Sequence, residues 1–96
     1  MYLHYPMQFE WHEPKRLANI EKHGIDFLDA GLLFEGPHLV APANLVGDEQ
    51  RWIALGIVEG IYVAAIFTQR GSLIRLISMR RARANERKRH EALFGR

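Results

Sequence analysis

The chain has 96 residues, 48% of them hydrophobic and 25% charged, which suits one globular domain (1–96) with a thin core. It holds no cysteine, which excludes disulfide scaffolds, thiolate metal sites and a cysteine nucleophile and fits a cytoplasmic protein. The net charge of +2 conceals an asymmetry: residues 75–96 carry eight basic side chains against two acidic ones, and residues 1–74 carry five against nine.

In chain order, MQFEW reads as a short strand with Phe9 and Trp11 on one side and Glu10 on the other. The aromatic and acidic start MYLHYPMQFEWHEP does not read as a signal peptide. EPKRLANIEKHG reads as a helix, with Pro14 in its first turn, Leu17 and Ile20 as an apolar stripe and Gly24 closing it. DFLDAGLLFEGP reads as a second helix. Asp26 is its N-cap, Asp29 stands at the capping-box position, and Phe27, Ala30, Leu33 and Phe34 form the buried stripe. The period then changes. HLVAPANLV is strand-like but carries Pro42, which places it at a sheet edge. QRWIALGIV and IYVAAIFT are strands joined by the hairpin pair Glu59-Gly60. LIRLISM follows the turn QRGS as a further strand, and the short connections make an antiparallel meander. These strands are apolar on both faces, so the face away from the two helices needs cover from the last helix or a partner chain. That basic helix spans about Ala82 to Phe94, with Arg87 and Glu91 spaced i,i+4. The expected architecture is α+β: two N-terminal helices on a twisted antiparallel sheet of about four strands, then a basic C-terminal helix. No apolar run reaches the roughly 18 residues of a membrane helix.

The order and spacing of three motifs resemble a known family. FEWHEPKRLANIEKHGIDFLDAGLLFEGP resembles the opening of BrnT toxins, which pairs an F-x-W-D strand with a helix carrying N-x-x-K-H-G-[IV] and an F-x-E-A helix. DEQRWIALGIVEG resembles the family's E-x-R-W strand, and AAIFTQRGSLIRLISMRRARANERKRHE its closing T-x-R-G…I-R-x-I-S-A-R segment. His12 stands where Asp is usual, Met79 where Ala is common, Arg83 where Thr would complete a capping box with Glu86, and His90 where Tyr is usual. The resemblance implies a RelE-like fold and a ribonuclease toxin of a type II toxin–antitoxin system. It also implies a BrnA-like antitoxin as partner in a hetero-oligomer, an RNA substrate, and operator DNA reached only through the antitoxin.

Ribonuclease chemistry of this kind needs no metal or cofactor. It requires attack of the RNA 2′-OH on phosphorus, stabilisation of the added charge and protonation of the leaving oxygen, tasks suited to Arg and His. With the resemblance, the candidate catalytic residues are His23, Arg51, Arg70, Arg80, Arg81 and His90; Arg75, Arg83, Arg87, Lys88 and Arg89 are candidate RNA-binding residues. Each has a plainer reading. His23 can complement the end of its helix, Arg51 can pair with Asp48 or Glu49, and Arg70 can be a solvated turn residue. Arg75 alternates within an apolar strand and must snorkel, pair with an acid or face a groove. Arg80 and Arg81 point to opposite faces, and Arg80 follows Ile74, Leu76 and Ser78 on one of them. Arg83, Arg87, Lys88 and Arg89 form a phosphate-attracting rim or a solvated helix face. Glu86 and His90 are an acid/base pair or a helix-stabilising contact. The histidines lack metal-ligand spacing, and no metal is expected. The alternative function is a catalytically degenerate module that binds nucleic acid or the antitoxin and acts in operon autoregulation.

Overall fold

The computed structural model describes residues 7–95; the first six residues of the aromatic N-terminal stretch and Arg96 lie outside it. Its elements are β1 (Gln8–Glu10), α1 (Glu13–His23), a 3-10 turn (Phe27–Asp29), α2 (Ala30–Glu35), β2 (Leu39–Pro42), β3 (Trp52–Val58), β4 (Ile61–Arg70), β5 (Leu73–Arg81) and α3 (Ala84–Phe94). The mixed α+β class matches the sequence pattern. The expected RelE-like arrangement, two N-terminal helices on about four antiparallel strands, differs in detail. The sheet has five strands in the order β1-β5-β4-β3-β2, and β1 runs parallel to β5 at its edge. The long excursion through the other elements separates β1 from β5, so local turn signals carry no trace of the pairing.

The hairpins form where turn chemistry places them. Val58 pairs with Ile61 across Glu59 and Gly60, both at positive φ (49° and 82°), as a primed two-residue turn requires. Pro42 ends the outer strand β2, where its missing N–H breaks no central ladder. The expected second helix divides into the 3-10 turn and α2. Asp26 still caps the start, accepting from the Leu28 N–H at 2.9 Å, while Asp29 begins α2 without a side-chain cap.

One sheet face carries the core. Ala54, Val58, Val63, Ala65, Phe67, Ile74, Leu76 and Met79 pack there against Ile25, Phe27, Ala30, Leu33 and Phe34. Gly56 lets α2 approach: a Cβ there would lie 2.9 Å from the Leu33 side chain. Strict alternation fails once, in β5. Ile66 pairs with Ser78 but Phe67 with Leu76, leaving Ile77 as the extra residue of a bulge. Leu76 and Met79 therefore share the core face, and Ser78 and Arg80 turn to the opposite one. The expectation that Arg80 shares a face with Ile74 and Leu76 is corrected by this single inserted residue.

Helix α1 docks by polarity. Leu17, expected in its apolar stripe, is 55% exposed, whereas Asn19 is 6% exposed. The Asn19 amide Nδ2 donates to the carbonyls of Ile25 at 2.9 Å and Met79 at 2.8 Å, and Oδ1 accepts from the Met79 N–H at 3.1 Å. β1 covers β5 only from Leu73 to Arg75, so Asn19 takes the place of a neighbouring strand further along the edge. Arg16 adds a two-point bond to Asp26, through Nε at 2.8 Å and Nη2 at 3.0 Å.

Helix α3 lies on the other face, against β3 and the ring of Tyr62. It is tied down by ions and aromatic contacts. Arg80 donates to both carboxylate oxygens of Glu86, at 2.8 and 2.9 Å, in a fork whose side chains are 18% and 9% exposed. Glu86 also accepts from the Arg83 N–H at 2.8 Å, which keeps one half of a capping box; arginine has no acceptor for the other half. The Arg80 guanidinium, chiefly through this fork, holds the Glu86 carboxyl below its ordinary 4.5.

Two outcomes follow for stability. Asn19→Ala leaves two carbonyls and one N–H at a buried edge without partners, and is expected to lower unfolding free energy by about 2–3 kcal/mol in urea titrations. Glu86 has a folded pKa below its unfolded one, so its contribution is present above pH 4.5 and is lost as pH falls through the folded value. Glu86→Gln is expected to lower stability at neutral pH and to flatten the acid limb of the stability profile below that point, leaving the parts due to Asp26, depressed chiefly by Arg16, and to Glu13, depressed chiefly by the Trp11 hydrogen bond.

Candidate active-site groove

The groove lies on the face opposite the core, at the ends of the central strands away from α3. Register places Thr68 of β4 directly opposite Arg75 of β5, and Glu10 of β1 beside Arg75 on its other flank. Arg51 arrives on the segment that leads into β3. The chain leaves β1 at Glu10 and enters α1 at Glu13, so His12 and Lys15 descend beside the same strand ends. Together His12, Lys15, Glu49, Arg51, Thr68, Arg75, Leu76 and Ile77 line a hollow of about 230 Å³. The bulge at Ile77 is what allows Arg75 and Arg80, five positions apart, to project from one face.

Local bonds set the walls. Thr68 Oγ1 donates to the Gln50 carbonyl at 2.7 Å, and Gln50 Nε2 donates to the carbonyls of Ala43 and Arg51 at 3.1 and 2.7 Å. These three bonds pin the loop that carries Glu49 and Arg51. Arg51 Nε donates to Glu49 Oε1 at 3.0 Å, the pairing its sequence neighbours allowed. Arg75 and Arg70 each place Nη1 3.7 Å from Glu10 Oε2. That oxygen is buried and makes no hydrogen bond. Arg70 itself lines an adjoining hollow with Asp48, Glu49, Thr68 and Gln69.

Of the residues singled out in the sequence, Arg51, Arg70 and Arg75 come together here. The others do not. Arg80 is committed to Glu86. Arg81 pairs across from Val63, on the core side of the sheet, and is exposed there. His23 closes α1, and an 11-residue helix puts it about 16 Å from the end that carries His12. His90 is 3% exposed; its Nε2–H donates to the Pro37 carbonyl at 2.9 Å, its Nδ1 is buried without a partner, and its ring meets those of Tyr62 and Phe94. Glu86 and His90 thus hold separate partners and form no acid/base pair. Arg83, Arg87, Lys88 and Arg89 stand exposed on α3, with Arg87 stacked over Tyr62 at 4.7 Å and bonded to Glu91 at 3.3 Å.

Lys15, Glu49 and Thr68 were not among the sequence candidates, and His12 was noted only as a departure from the family pattern. One signal was available: His12 and Lys15, three residues apart at a helix start, share a face directly after a strand. Among the described residues no three His, Cys, Asp or Glu side chains gather as a metal site would need. No helix among them is long and apolar enough to cross a membrane.

A family model described as "ribonuclease toxin, BrnT, of type II toxin-antitoxin system" matches residues 11–86. A comparison with curated proteins found no match. The matched span contains the groove from His12 through Ile77, together with the bulge and the Arg80–Glu86 fork, and the chain belongs to the BrnT family of ribonuclease toxins.

Proposed function

We propose that this toxin is a metal-independent endoribonuclease that cuts RNA in the Arg51–Arg75 groove. The observation that carries this reading is the convergence of three cations, Lys15, Arg51 and Arg75, with one carboxylate and one imidazole, Glu49 and His12, in a single hollow. Such a donor set suits a phosphodiester. Arg75 and Arg51 face the non-bridging oxygens and stabilise the charge that grows as the 2′-oxygen adds to phosphorus. Glu49, the one carboxylate among the described residues that line the hollow, accepts the 2′-OH proton. His12 delivers a proton to the departing 5′-oxygen, and Lys15 holds the phosphate by charge. The products are a 2′,3′-cyclic phosphate and a free 5′-OH, so a DNA strand, lacking the 2′-OH, is no substrate.

The exposed cations of α3, Arg83, Arg87, Lys88 and Arg89, draw RNA towards the sheet without touching the scissile phosphate. Cutting RNA this way inhibits translation and growth. A BrnA-like antitoxin neutralises the toxin by covering the groove, and operator DNA is engaged through that antitoxin alone.

The test is cleavage of a long RNA by purified, antitoxin-free protein in EDTA. Wild type is expected to yield fragments. Arg75→Ala and Arg51→Ala are expected to cut the rate by about 10²–10³-fold, the scale for losing one charge-stabilising donor. Arg81→Ala, far from the groove, is expected to stay within about threefold. Equal rates for wild type and Arg75→Ala would remove the groove from the chemistry, and loss of cleavage on adding EDTA would remove metal independence. Intact RNA that nonetheless binds with a steep salt dependence would favour the non-catalytic binding module.

A further inference from the structure

We infer that Glu10 is the positioning residue of this reaction: its carboxylate holds Arg75, with Arg70 as its second cation, while leaving the Arg75 donors open to the scissile phosphate. The inference rests on the reading of the groove as a ribonuclease site and adds a residue outside the hollow's lining.

Two arginines of β5 face a glutamate, and the two pairs are built differently. Arg80 gives both terminal nitrogens to Glu86 at 2.8 and 2.9 Å, and no strong donor pair remains for a ligand. Arg75 stands 3.7 Å from Glu10, inside the range of charge attraction and outside that of a hydrogen bond. Among the described residues its forked donors make no hydrogen bond. The acceptor is equally unspent, since Glu10 Oε2 is buried and makes no hydrogen bond, an uncommon state for a buried carboxylate oxygen. Arg70 lies at the same 3.7 Å from the same oxygen. One negative charge is thus shared by two positive ones at the edge of the groove.

The placement follows from topology. β1 is three residues long, and its parallel register sets Glu10 beside Arg75 and Phe9 beside Ile74. Phe9 is fixed by its packing on Phe34, with ring centroids 5.6 Å apart, so the next residue is fixed on the opposite face. A charge there offsets the mutual repulsion of Arg70 and Arg75 and restrains the Arg75 side chain, whose four rotatable bonds otherwise cost entropy when a phosphate is bound. A carboxylate so close to a phosphate site opposes ground-state binding slightly. Its benefit appears in the transition state, where the aim of Arg75 counts most.

This makes a distinctive kinetic signature. Glu10→Gln keeps the shape and removes the charge. In RNA oligonucleotide cleavage in EDTA it is expected to lower kcat by about tenfold or more while KM stays the same or falls, because a misplaced arginine harms turnover and a lost negative charge does not weaken phosphate attraction. Glu10→Asp, which keeps the charge, is expected to recover part of kcat. In an Arg75→Lys background, Glu10→Gln is expected to add less than about a twofold loss, the coupling of two residues acting through one contact. Thermal melts establish that each variant is folded under assay conditions. Unchanged kcat in folded Glu10→Gln, a loss confined to raised KM, or the full loss repeated in the Arg75→Lys background would each overturn the inference while leaving the ribonuclease reading standing. Failure of the wild type to cleave RNA at all would overturn both.

Discussion

The side-chain amide of Asn19 holds this fold at the point where its sheet runs out of strand. β5 extends past the short parallel strand β1, and its backbone at Met79 would otherwise face α1 unpaired. Asn19 supplies donor and acceptor together, as a neighbouring strand would, and reaches the Ile25 carbonyl as well. That junction fixes α1 against β5. It thereby fixes the other end of α1, where His12 and Lys15 meet the groove. A helix docked through Leu17 and Ile20 alone could slide or roll, since apolar contact is non-directional; one docked through three directional bonds at a single residue cannot do so without leaving buried groups unpaired.

The bulge at Ile77 is the second constraint. It lies two residues before Met79 and decides which arginines of β5 share a surface. Arg75 and Arg80 both face away from the core because of it, but their neighbours assign them different work. Arg80 is closed into a fork with Glu86 and secures α3 to the sheet. Arg75 makes no hydrogen bond among the described residues and lines the groove with Thr68, Arg51 and Lys15. The excess of positive charge near the end of the chain is thus divided among a structural lock, an exposed helix face, the exposed Arg81 on the core side and a single groove residue, and the greater part of the groove comes from the acidic first three-quarters of the sequence. Charge counted along the chain locates the field around the protein; it does not locate the site.

Much of the fold could be read from residues whose signals are local. Gly24 and Gly36-Pro37 end helices, Glu59-Gly60 turns a hairpin, and Phe27, Ala30, Leu33 and Phe34 form a buried stripe. Arg51, Arg70 and Arg75 are legible as candidates because the family motifs carry all three, and the strand pattern also sets Arg75 apart. What escaped was non-local. The pairing of β1 with β5 joins residues more than sixty positions apart. Asn19 looks like an ordinary helix polar residue until the edge of β5 is brought to it, and Leu17 looks like core until that happens. A bulge inserts no residue type of its own, so Ile77 reads as one more apolar strand position. His90 is a catalytic candidate in the sequence because it stands at the family's Tyr position, four residues after Glu86; the Pro37 carbonyl that engages it comes from a loop distant in sequence.

In the proposed mechanism the scissile phosphate sits between Arg51 and Arg75 and not along α3. The most direct measurement is an NMR titration of the isotopically labelled protein with an RNA oligonucleotide methylated at every 2′-oxygen, which binds but cannot be cut. The largest and earliest-saturating shifts are expected at Arg51, Thr68, Arg75, Lys15 and His12, with smaller, salt-sensitive shifts at Arg87, Lys88 and Arg89. Dominant shifts along α3 and around Arg80 and His90, with the groove signals unmoved, would contradict it.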